Sequence, residues 1–405
     1  MRKAEEHMKR AIRYISLILA AIFISALFVG CTRGSGDDTT ASGAATSGNT
    51  APEETSRTHD ENGYLLDSLP ADLNFGGEKV TVLYWNDAPF TDFEAEQSDD
   101  KILNAINTRN ASVAERLGIK FDWVGIPGNT KNRESYATTV RGSTGTGAGD
   151  FDLLAAHSLV GQDLFLQGLL CNLNDVKYLD FGKPWWPKQL TEAASVGNKL
   201  CFASGDISTN MLWYMTVMFY NVSLAKTYGI EDLHDTVLSG KWTLEKMETV
   251  IKDAYRDTNA NGVKDVTFDM SVLPFPKYDE AQKDYITTES FSYSIYMIPM
   301  DAKNTDKSGA VMEALASAAY RTTTPAIFEA SLKLRYALNN KTSQVYDIIK
   351  SNICFDLGRM FGANLDNKTH VAFRNAIAKN NPAWAVTYAE LKNVLNAKLK
   401  DLFGN

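Results

Sequence analysis

The sequence predicts an α/β protein in which a parallel sheet with helices on its faces is followed by a mostly helical part. β-Branched and aromatic runs alternate with amphipathic segments between residues 78 and 155, and this alternation is typical of a parallel sheet. Towards the C-terminus the apolar side chains recur mainly at helical spacing. A hydrophobic fraction of 44% among 405 residues is sufficient for a large core.

The first strand is predicted over residues 78–85, where the sequence EKVTVLYW is β-branched and aromatic. A helix follows over 99–117 and ends at Gly118, a residue type that suits the position after a helix. Because parallel sheets bind ligands at the carboxyl ends of their strands, the residues after each strand are the first candidates for a site. The pattern continues with a strand over 119–124, a helix over 135–140, a glycine-rich loop over 142–149 and a strand over 151–155.

The pattern changes after residue 200. A strand is predicted over 212–221 and a helix over 242–256, for which Thr243 would be the N-cap. This change, together with the length of the chain, indicates two lobes or domains. Further helices are predicted over 224–228, 312–320, 326–339, 344–349 and 388–402.

The N-terminus has the pattern of an export signal. Five basic and two acidic residues precede a 16-residue apolar run from Ile15 to Gly30, which is short for a membrane span of about 20 residues. The run stops at Cys31, and a small residue before a cysteine resembles the bacterial lipobox, in which that cysteine is lipidated. We therefore predict a lipoprotein signal peptide over 1–30. An anchor helix with an incidental cysteine is the alternative.

A flexible tether is predicted after the lipidated cysteine. Small and polar residues dominate from position 32 to 62, and a segment with so little to bury does not offset its ordering entropy. Two or more acyl chains, palmitate among them, would anchor Cys31 stably in the cell membrane. The prediction is a lipid anchor with a tether over 31–74 and a folded part on the extracellular face.

Charge and motifs exclude several functions. Removing residues 1–30 changes the net charge from −8 to −11, and an acidic chain without a basic block argues against nucleic acid. The glycines of the 142–149 loop precede a strand, whereas those of a dinucleotide-binding turn follow one. The motifs H-E-x-x-H and G-x-S-x-G do not occur, and no enzyme is predicted. Three further cysteines are predicted to be buried thiols: Cys171, Cys201 and Cys354.

The stretch DTNANGVKD at residues 257–265 has the spacing of a calcium-binding loop. Gly262 gives the sharp turn at position 6, but position 12, where a bidentate glutamate is usual, is Phe268. No cofactor is required, yet a weakly bound structural Ca²⁺ is predicted, with a metal-free turn as the alternative. The candidate ligands are Asp257, Asn259, Asn261, Val263 and Asp265.

Tryptophan and tyrosine are frequent, and aromatic faces pack well against the C–H faces of a sugar ring. Trp85 and Trp213 lie near predicted strand ends, so they are predicted to form walls of a ligand pocket. Trp185 and Trp186 follow Pro184 and are predicted to lie across the surface.

Four segments are distinctive in combination: PWWPKQLTEAASVGNKLCFASGDIS at 184–208, LPFPKYDEAQKDY at 273–285, ALASAAYRTTTPAIFEASLKLRY at 314–336 and DIIKSNICFDLGRMF at 347–361. Together with the calcium-like loop they resemble extracellular solute-binding lipoproteins of ABC importers, of the carbohydrate-binding family 1 type. The resemblance extends from about residue 75 to the C-terminus.

The resemblance implies the two-lobe α/β fold of periplasmic binding proteins, with a hinge near Leu200 and Val272 and a ligand in the cleft. Members of the family are not enzymes. In them a long segment separates the calcium-like loop from LPFPKY, so lobe two is shortened here. The implied lobes are 75–203 plus 275–320 for lobe one, and 204–274 plus 321–405 for lobe two.

The implied function is capture of a small solute, a sugar or oligosaccharide, for an ABC permease in the same membrane. We expect a monomer. A tethered carbohydrate-active enzyme and a surface remnant that no longer binds ligand are the alternatives, the second because lobe two is shortened. The predicted hydrogen-bonding residues of the cleft are Asp87, Ser158, Asp206 and Ser290.

Overall fold

A four-stranded sheet lies at the centre of the fold. The computed structural model describes residues 58–252, 270–290, 292–333 and 339–403. The strands of this part of the chain are β1 (Glu78–Trp85), β2 (Ile119–Ile126), β3 (Leu153–His157), β4 (Met218–Asn221), β5 (Met270–Leu273), β6 (Thr287–Thr288), β7 (Ser294–Met297) and β8 (Ile353–Cys354).

The strand order of the central sheet is β2–β1–β3–β7, in which the first three strands are parallel and β7 is antiparallel to β3. Val82 and Leu83 on β1 and Leu154 on β3 are fully buried. Such continuous burial is typical of parallel strands that helices cover on both faces. The predicted strands over 78–85 and 119–124 are confirmed, and the third strand begins two residues later than predicted.

Helices surround this sheet and form most of the C-terminal part. The helix α1 packs on β2 and α8, and α3 packs on β3 and β7. The helices are α1 (Lys101–Leu117), α2 (Arg133–Thr146), α3 (Ser158–Leu166), α4 (Lys188–Ala194), α5 (Val222–Thr227), α6 (Leu233–Leu238), α7 (Leu244–Ile251), α8 (Thr305–Arg321), α9 (Thr323–Ile327), α10 (Asn340–Ser351), α11 (Leu357–Met360), α12 (His370–Ala378) and α13 (Trp384–Phe403).

Local sequence explains where two helices begin and end. The Asp100 carboxylate accepts hydrogen bonds from the amides of Ile102 and Leu103, at 2.8 and 3.0 Å, and so caps α1. The helix ends at Gly118, whose φ of 57° places it in the left-handed region that glycine adopts readily. The predicted cap of α7 is also confirmed, because the Thr243 hydroxyl accepts from the Lys246 amide at 3.2 Å.

The loop predicted over 142–149 is wrong for its first five residues. The helix α2 continues through Gly142 and Gly145 and ends only at Gly147, whose φ is 66°. Each internal glycine costs about 1 kcal/mol relative to alanine. The helix forms because Tyr136 and Val140 on its inner face are fully buried, and this burial outweighs the low propensity of the glycines.

The strand predicted over 212–221 is also wrong in its first half. A 3₁₀ segment, Asp206–Trp213, precedes the short strand β4. It begins after Gly205, whose φ is 145° and whose missing Cβ would lie 2.3 Å from the Trp185 carbonyl oxygen. Only glycine tolerates so close a contact between two backbone segments. The chain therefore turns tightly here and continues as the 3₁₀ segment, although the apolar pattern alone predicts a strand.

The remaining strands form pairs. The strand β4 is antiparallel to β5, and β6 is parallel to β8. Two antiparallel backbone bridges pair Ala203 with Tyr296 and Met215 with Glu289. They join the two chain segments that run between the central sheet and these short pairs. The helices predicted over 312–320, 344–349 and 388–402 are confirmed within longer helices.

Residues 58–74 are packed, although they belong to the predicted tether. The side chain of Leu69 is buried, Arg116 Nη1 donates to Asp67 Oδ2 at 2.5 Å, and the ring of Tyr64 lies edge-on to Tyr320. The folded part therefore begins before residue 75. The described residues from 58 onwards pack as one unit, and the proposed lobe boundaries stay a prediction.

Three predictions fall outside the described residues: the signal peptide over 1–30, the lipidated Cys31 and the calcium loop over 257–265. Within the ranges that the structure covers, every helix is too short or too polar to span a bilayer.

Candidate functional site

The carboxyl ends of the parallel strands meet at one edge of the central sheet. The strands β1, β2 and β3 end there at Trp85, Ile126 and His157, and the antiparallel strand β7 begins there at Ser294. Because ligands of open α/β sheets bind at this edge, the site is built from these residues and from the segments that cross it.

Trp85 is fully buried at this edge. Its indole Nε1 donates to Ser294 Oγ at 2.8 Å, and its ring lies edge-on to His157 at 5.1 Å. Asn210 Nδ2 donates to the same Ser294 oxygen at 2.8 Å. Trp85 therefore joins the sheet to the 3₁₀ segment, and the face predicted to stack on a ligand is covered by protein.

Asp87 holds the loop that follows β2. One carboxylate oxygen accepts from the amides of Gly128 and Asn129, at 2.8 and 3.0 Å, and the other accepts from Asn132 Nδ2 at 3.0 Å. The side chain is half-buried. Because three donors already bond to this carboxylate, Asp87 fixes the shape of the loop at the rim of the site.

His157 and Ser158 connect β3 to α3. Nδ1 of His157 accepts from the Leu159 amide at 3.1 Å, and burial lowers the pKa of His157 to about 4, so the imidazole is neutral at pH 7. Ser158 is fully buried, and its amide donates to the Tyr293 carbonyl at 3.1 Å. The predicted residue Ser158 thus lies at the sheet edge, in contact with the crossing segment that leads to β7.

A partly exposed aromatic stack lies beside these residues. Trp213 is half-buried and stacks on Phe90 with ring centroids 4.9 Å apart and an interplanar angle of 18°. Tyr214 meets Phe90 edge-on at 6.0 Å, and Phe90 itself is 43% exposed. Sequence reasoning found Trp213 but missed Phe90, which lies in a loop without a periodic pattern.

The other two predicted residues have different positions. The Ser290 side chain is exposed, and its amide donates to the Tyr214 carbonyl at 3.1 Å, which places it beside the aromatic stack. Asp206 is buried on another side of the 3₁₀ segment, where its carboxylate accepts from Thr324 Oγ1 and lies 3.9 Å from Lys350 Nζ. The structure therefore brings Ser290 to Trp213 and directs Asp206 towards α9 and α10.

A buried polar group that the sequence did not reveal supports the same edge. Arg109 Nη2 donates to the carbonyls of Asp92 and Phe93, at 2.6 and 3.0 Å, and Asp92 Oδ2 accepts from the Asn210 amide at 3.0 Å. Burial raises the pKa of Asp92 to about 6, and the charge of Arg109 opposes this rise. No local motif marks such a pair, because its members are brought together only by the fold.

The tryptophans predicted to lie across the surface are buried instead. Trp185 Nε1 and Trp186 Nε1 donate to the two carboxylate oxygens of Glu313, at 3.1 and 2.8 Å. The surface prediction for this pair is wrong, because a carboxylate on α8 gives both indoles an acceptor in the core. The three predicted thiols are free, with Cys201 buried and the other two half-buried.

Two concave surfaces lie away from the sheet edge. A cavity of about 590 Å³ around α6 and α7 is lined by charged and polar side chains, among them Asp235 and Lys246. Another, of about 490 Å³, is lined by Phe165 and Leu402 among others. Neither includes a predicted ligand-binding residue. Among the residues for which the structure gives positions, no three His, Cys, Asp or Glu side chains are grouped to hold a metal ion.

Comparison with known proteins identifies the fold. No family model and no curated protein matches the chain. The sugar-binding protein MalE from Xanthomonas citri matches with a TM-score of 0.51 and 10% identity, over 80% of this chain and 98% of that chain.

Two further solved structures match with lower TM-scores. The GacH receptor of Streptomyces glaucescens has a TM-score of 0.39 and 11% identity, over 81% of this chain and 99% of that chain. The galacto-N-biose-/lacto-N-biose I-binding protein of Bifidobacterium longum has a TM-score of 0.45 and 11% identity, over 81% and 98%. At such identity the likeness shows the fold alone: the chain has the two-lobe α/β fold of periplasmic binding proteins.

Proposed function

We propose that this protein is a lipid-anchored extracellular solute-binding protein that captures a sugar or oligosaccharide for an ABC importer. The observation that carries the proposal is the partly exposed stack of Phe90 on Trp213 at the carboxyl edge of the sheet. An aromatic face left accessible at this edge suits the C–H face of a pyranose. The fold shared with MalE of Xanthomonas citri supports the same conclusion.

Two crossing segments would act as the hinge. Residues 203–216 and 287–296 are joined by the bridges of Ala203 with Tyr296 and of Met215 with Glu289. A ligand that contacts residues on both sides of these segments favours the closed arrangement, since only that arrangement makes both sets of contacts. On this proposal the second hinge segment is 287–296 and not the chain near Val272. Val272 is paired with Phe219 inside the β4–β5 pair.

The ligand would meet three kinds of group. Phe90 and Trp213 would contact its apolar face, and Ser290 would offer a hydroxyl beside them. Asp87 would support the rim from the loop after β2. The protein would act as a monomer and deliver the sugar to a permease in the same membrane.

Calorimetric titration of the full chain in mild detergent tests the proposal. The probes are galactose, lactose, maltose and maltotetraose, and at least one is expected to bind. Trp213→Ala is expected to weaken binding about ten-fold, equivalent to about 1.4 kcal/mol of lost stacking. Trp384→Ala is the matched control, because Trp384 is also half-buried and packs on an aromatic ring, Phe373, but lies in the C-terminal helices.

Binding of none of these sugars by a folded sample would contradict the proposal. Equal weakening by Trp213→Ala and Trp384→Ala would show that the stack is not the contact surface. Appearance of shorter sugars from maltotetraose would favour the rival function, a tethered carbohydrate-active enzyme.

The anchor and the calcium loop are separate proposals on residues outside the described ranges. Labelled palmitate should enter the wild-type chain and not Cys31→Ser, and release of unlabelled wild type into the medium would contradict the anchor. Calcium is expected to raise the melting temperature of the wild type, and Asp257→Ala should abolish that rise. An unchanged melting temperature would favour the metal-free turn.

A further inference from the structure

The C-terminal helices α12 and α13 cover little of the core. Of the residues described in α12 only Ala376 is buried, and none of residues 384–402 in α13 is buried. The helix α13 packs on the core through Leu395 and Leu402, which are themselves half-buried. Large apolar side chains of the two helices are therefore left exposed: Phe373, Ile377, Val386, Tyr388, Val394 and Leu399.

Three of these exposed side chains form one cluster. The ring of Phe373 lies edge-on to Trp384 with centroids 5.0 Å apart, and the ring of Tyr388 lies 6.3 Å from the other aromatic centroid of Trp384. Ile377 follows Phe373 by four residues and so lies on the same face of α12, where it is 65% exposed. Clustered apolar surface that stays in contact with water marks a contact site for a protein or a membrane.

The same two helices are basic in an acidic protein. Residues 370–403 carry five basic and two acidic side chains, a net charge of +3, whereas the whole chain has a net charge of −8. Lys398 Nζ lies 3.0 Å from an oxygen of Asp366 and is neutralised by it. The other four cations are exposed and form no ion pair within the described part of the chain: Arg374, Lys379, Lys392 and Lys400.

Charge is also segregated around the axis of α13. At 3.6 residues per turn, Tyr388, Lys392 and Leu399 lie along one flank of the half-buried stripe. The two acidic residues of the helix, Glu390 and Asp401, lie along the opposite flank. One flank of α13 is therefore aromatic, apolar and basic, and it is continuous with the exposed cluster through Tyr388.

We propose that this surface docks on a membrane that contains anionic lipids. We call it the C-terminal patch, and its residues are Phe373, Arg374, Ile377, Tyr388, Lys392 and Leu399. Lysine and arginine are attracted to anionic headgroups, and aromatic and aliphatic side chains enter the boundary between headgroups and acyl chains. The inference goes beyond the proposed function, since sugar capture does not require it.

The charges favour a membrane over the other occupants of such a surface. A symmetric contact with a second copy would bring the unpaired cations of both patches together, and like charges repel. A purely ionic partner would leave Ile377 and Leu399 in water. On an anionic bilayer both kinds of side chain find a partner, and the acidic remainder of the protein is turned away from the surface.

Hydrogen exchange of the full chain, mixed with lipid vesicles, tests the proposal. Residues 1–30 contain basic and apolar residues of their own, so total binding to vesicles is not informative and the readout is local exchange in α12 and α13. Vesicles of equal parts phosphatidylcholine and phosphatidylglycerol should slow this exchange about ten-fold or more, and phosphatidylcholine alone should not. Salt at about 1 M, where the Debye length is about 3 Å, should remove the slowing.

A double charge variant, Arg374→Gln with Lys392→Gln, should lose most of the slowing, because two cations of the C-terminal patch are removed. Lys101→Gln with Lys120→Gln is the matched control, since both lysines are exposed but lie elsewhere in the fold. The control should retain the slowing. Equal loss in the two double variants would overturn the assignment of the patch.

A second pair of variants tests the apolar part. Ile377→Ser should weaken the slowing, because a side chain that enters the boundary with the acyl chains is lost. Phe219→Ser is its control, since Phe219 is equally exposed but lies on β4. A partner that is only ionic would be insensitive to Ile377→Ser, and this result would overturn the membrane as the occupant.

The remaining outcomes are equally decisive. Slowing in neutral vesicles to the same extent would overturn the charge-driven contact. Slowing that appears without vesicles as the protein concentration rises would show that a second copy covers the patch, and it would overturn the proposal. No slowing in anionic vesicles would do the same. None of these results bears on sugar capture, which titration in detergent tests by itself.

Discussion

Two regions of the molecule use similar apolar strands with different results. In the sheet region, residues 78–203 with 292–321, the side chains of Val82 and Leu83 are fully buried. In the short-strand region, residues 214–290 with 339–354, Phe219 on β4 is 65% exposed and Met270 on β5 is 46% exposed. The difference follows from the number of neighbouring strands: the central strands of a four-stranded sheet have a neighbour on each side, whereas the pair β4–β5 buries Val272 and Leu273 but leaves Phe219 and Met270 exposed.

The comparison indicates which of the two regions is rigid and which can move. In the sheet region both carboxylate oxygens of Glu313 accept hydrogen bonds, although Nη1 of Arg109 has no partner among the described residues. At the border of the short-strand region, neither carboxylate oxygen of Glu289 has a partner among the described residues. Regions with little burial open most easily, so a ligand-driven movement is expected in the short-strand region.

The largest expected effect comes from removing the buried cation of the sheet region. Arg109→Met leaves the Asp92 and Phe93 carbonyls without their donor and the Asp92 charge without compensation, at a cost of about 3–5 kcal/mol. Urea unfolding of the full chain measures it. Lys341→Met, which removes an exposed lysine of the short-strand region that pairs with Asp232 and Asp235, should cost at most about 1 kcal/mol. A comparable loss in both variants would contradict the difference between the regions.

Truncating one apolar side chain in each region compares their contributions to the free energy of unfolding. Leu83→Ala in β1 is expected to destabilise the protein by about 3 kcal/mol, since a cavity remains in a fully buried position. Phe219→Ala in β4 should cost much less, because most of that side chain is already in contact with water. Urea unfolding again gives both values, and an equally large cost at Phe219 would contradict the difference between the regions.

The two regions should also respond to pH in opposite directions. Burial raises the pKa of Glu313 to about 7, although the indoles of Trp185 and Trp186 act to lower it. The folded protein then holds this proton more tightly than the unfolded chain, whose glutamate titrates near 4.5. The stabilising contribution is complete below pH 4.5 and is lost as pH rises through 7, by about 3 kcal/mol. Unfolding midpoints between pH 5 and 8 should fall less in Glu313→Gln than in wild type.

Asp232 in the short-strand region has the opposite sign. Burial acts to raise its pKa, but hydrogen bonds from Lys341 and the His234 amide outweigh it, so the pKa is lowered. Its contribution is present above the ordinary aspartate range and is lost as pH falls through the lowered value. Asp232→Asn should therefore flatten the loss of stability below pH 4, and an unchanged acid limb would contradict this assignment.

The smallest expected effects are those of the two helix caps. Asp100→Ala removes the cap of α1, and Thr243→Ala removes that of α7, each at a cost of about 1 kcal/mol. If the short-strand region opens by itself, Thr243→Ala should increase amide hydrogen exchange in α7 and leave the exchange of β1 unchanged. Equal increases in both elements would show a single cooperative unit.

Much of the sheet region could be predicted from the sequence. The strand over residues 78–85 and the helix that ends at Gly118 were found because β-branched runs, apolar spacing and a terminal glycine are local signals. The fold class predicted from the family resemblance is confirmed by the likeness to MalE of Xanthomonas citri. The extended helix α2 was missed because burial of Tyr136 and Val140 outweighs its glycines.

The ligand-binding role of the six candidate residues stays a prediction. Trp213 and Ser290 lie together beside the sheet edge, whereas Trp85 is covered and Asp206 points to other helices. Phe90 was missed because it belongs to no motif, and only the fold shows that its exposed ring stacks on Trp213.

The sequence by itself determined the alternation of strands and helices, the caps at Asp100 and Thr243 and the acidic charge, because each depends on residues close together in the chain. The tertiary structure alone decided which aromatic faces remain accessible and which carboxylates find a donor. Those properties depend on contacts between residues far apart in the chain: the two indoles that meet Glu313 come from a segment more than a hundred residues away, while Glu289 meets no described donor.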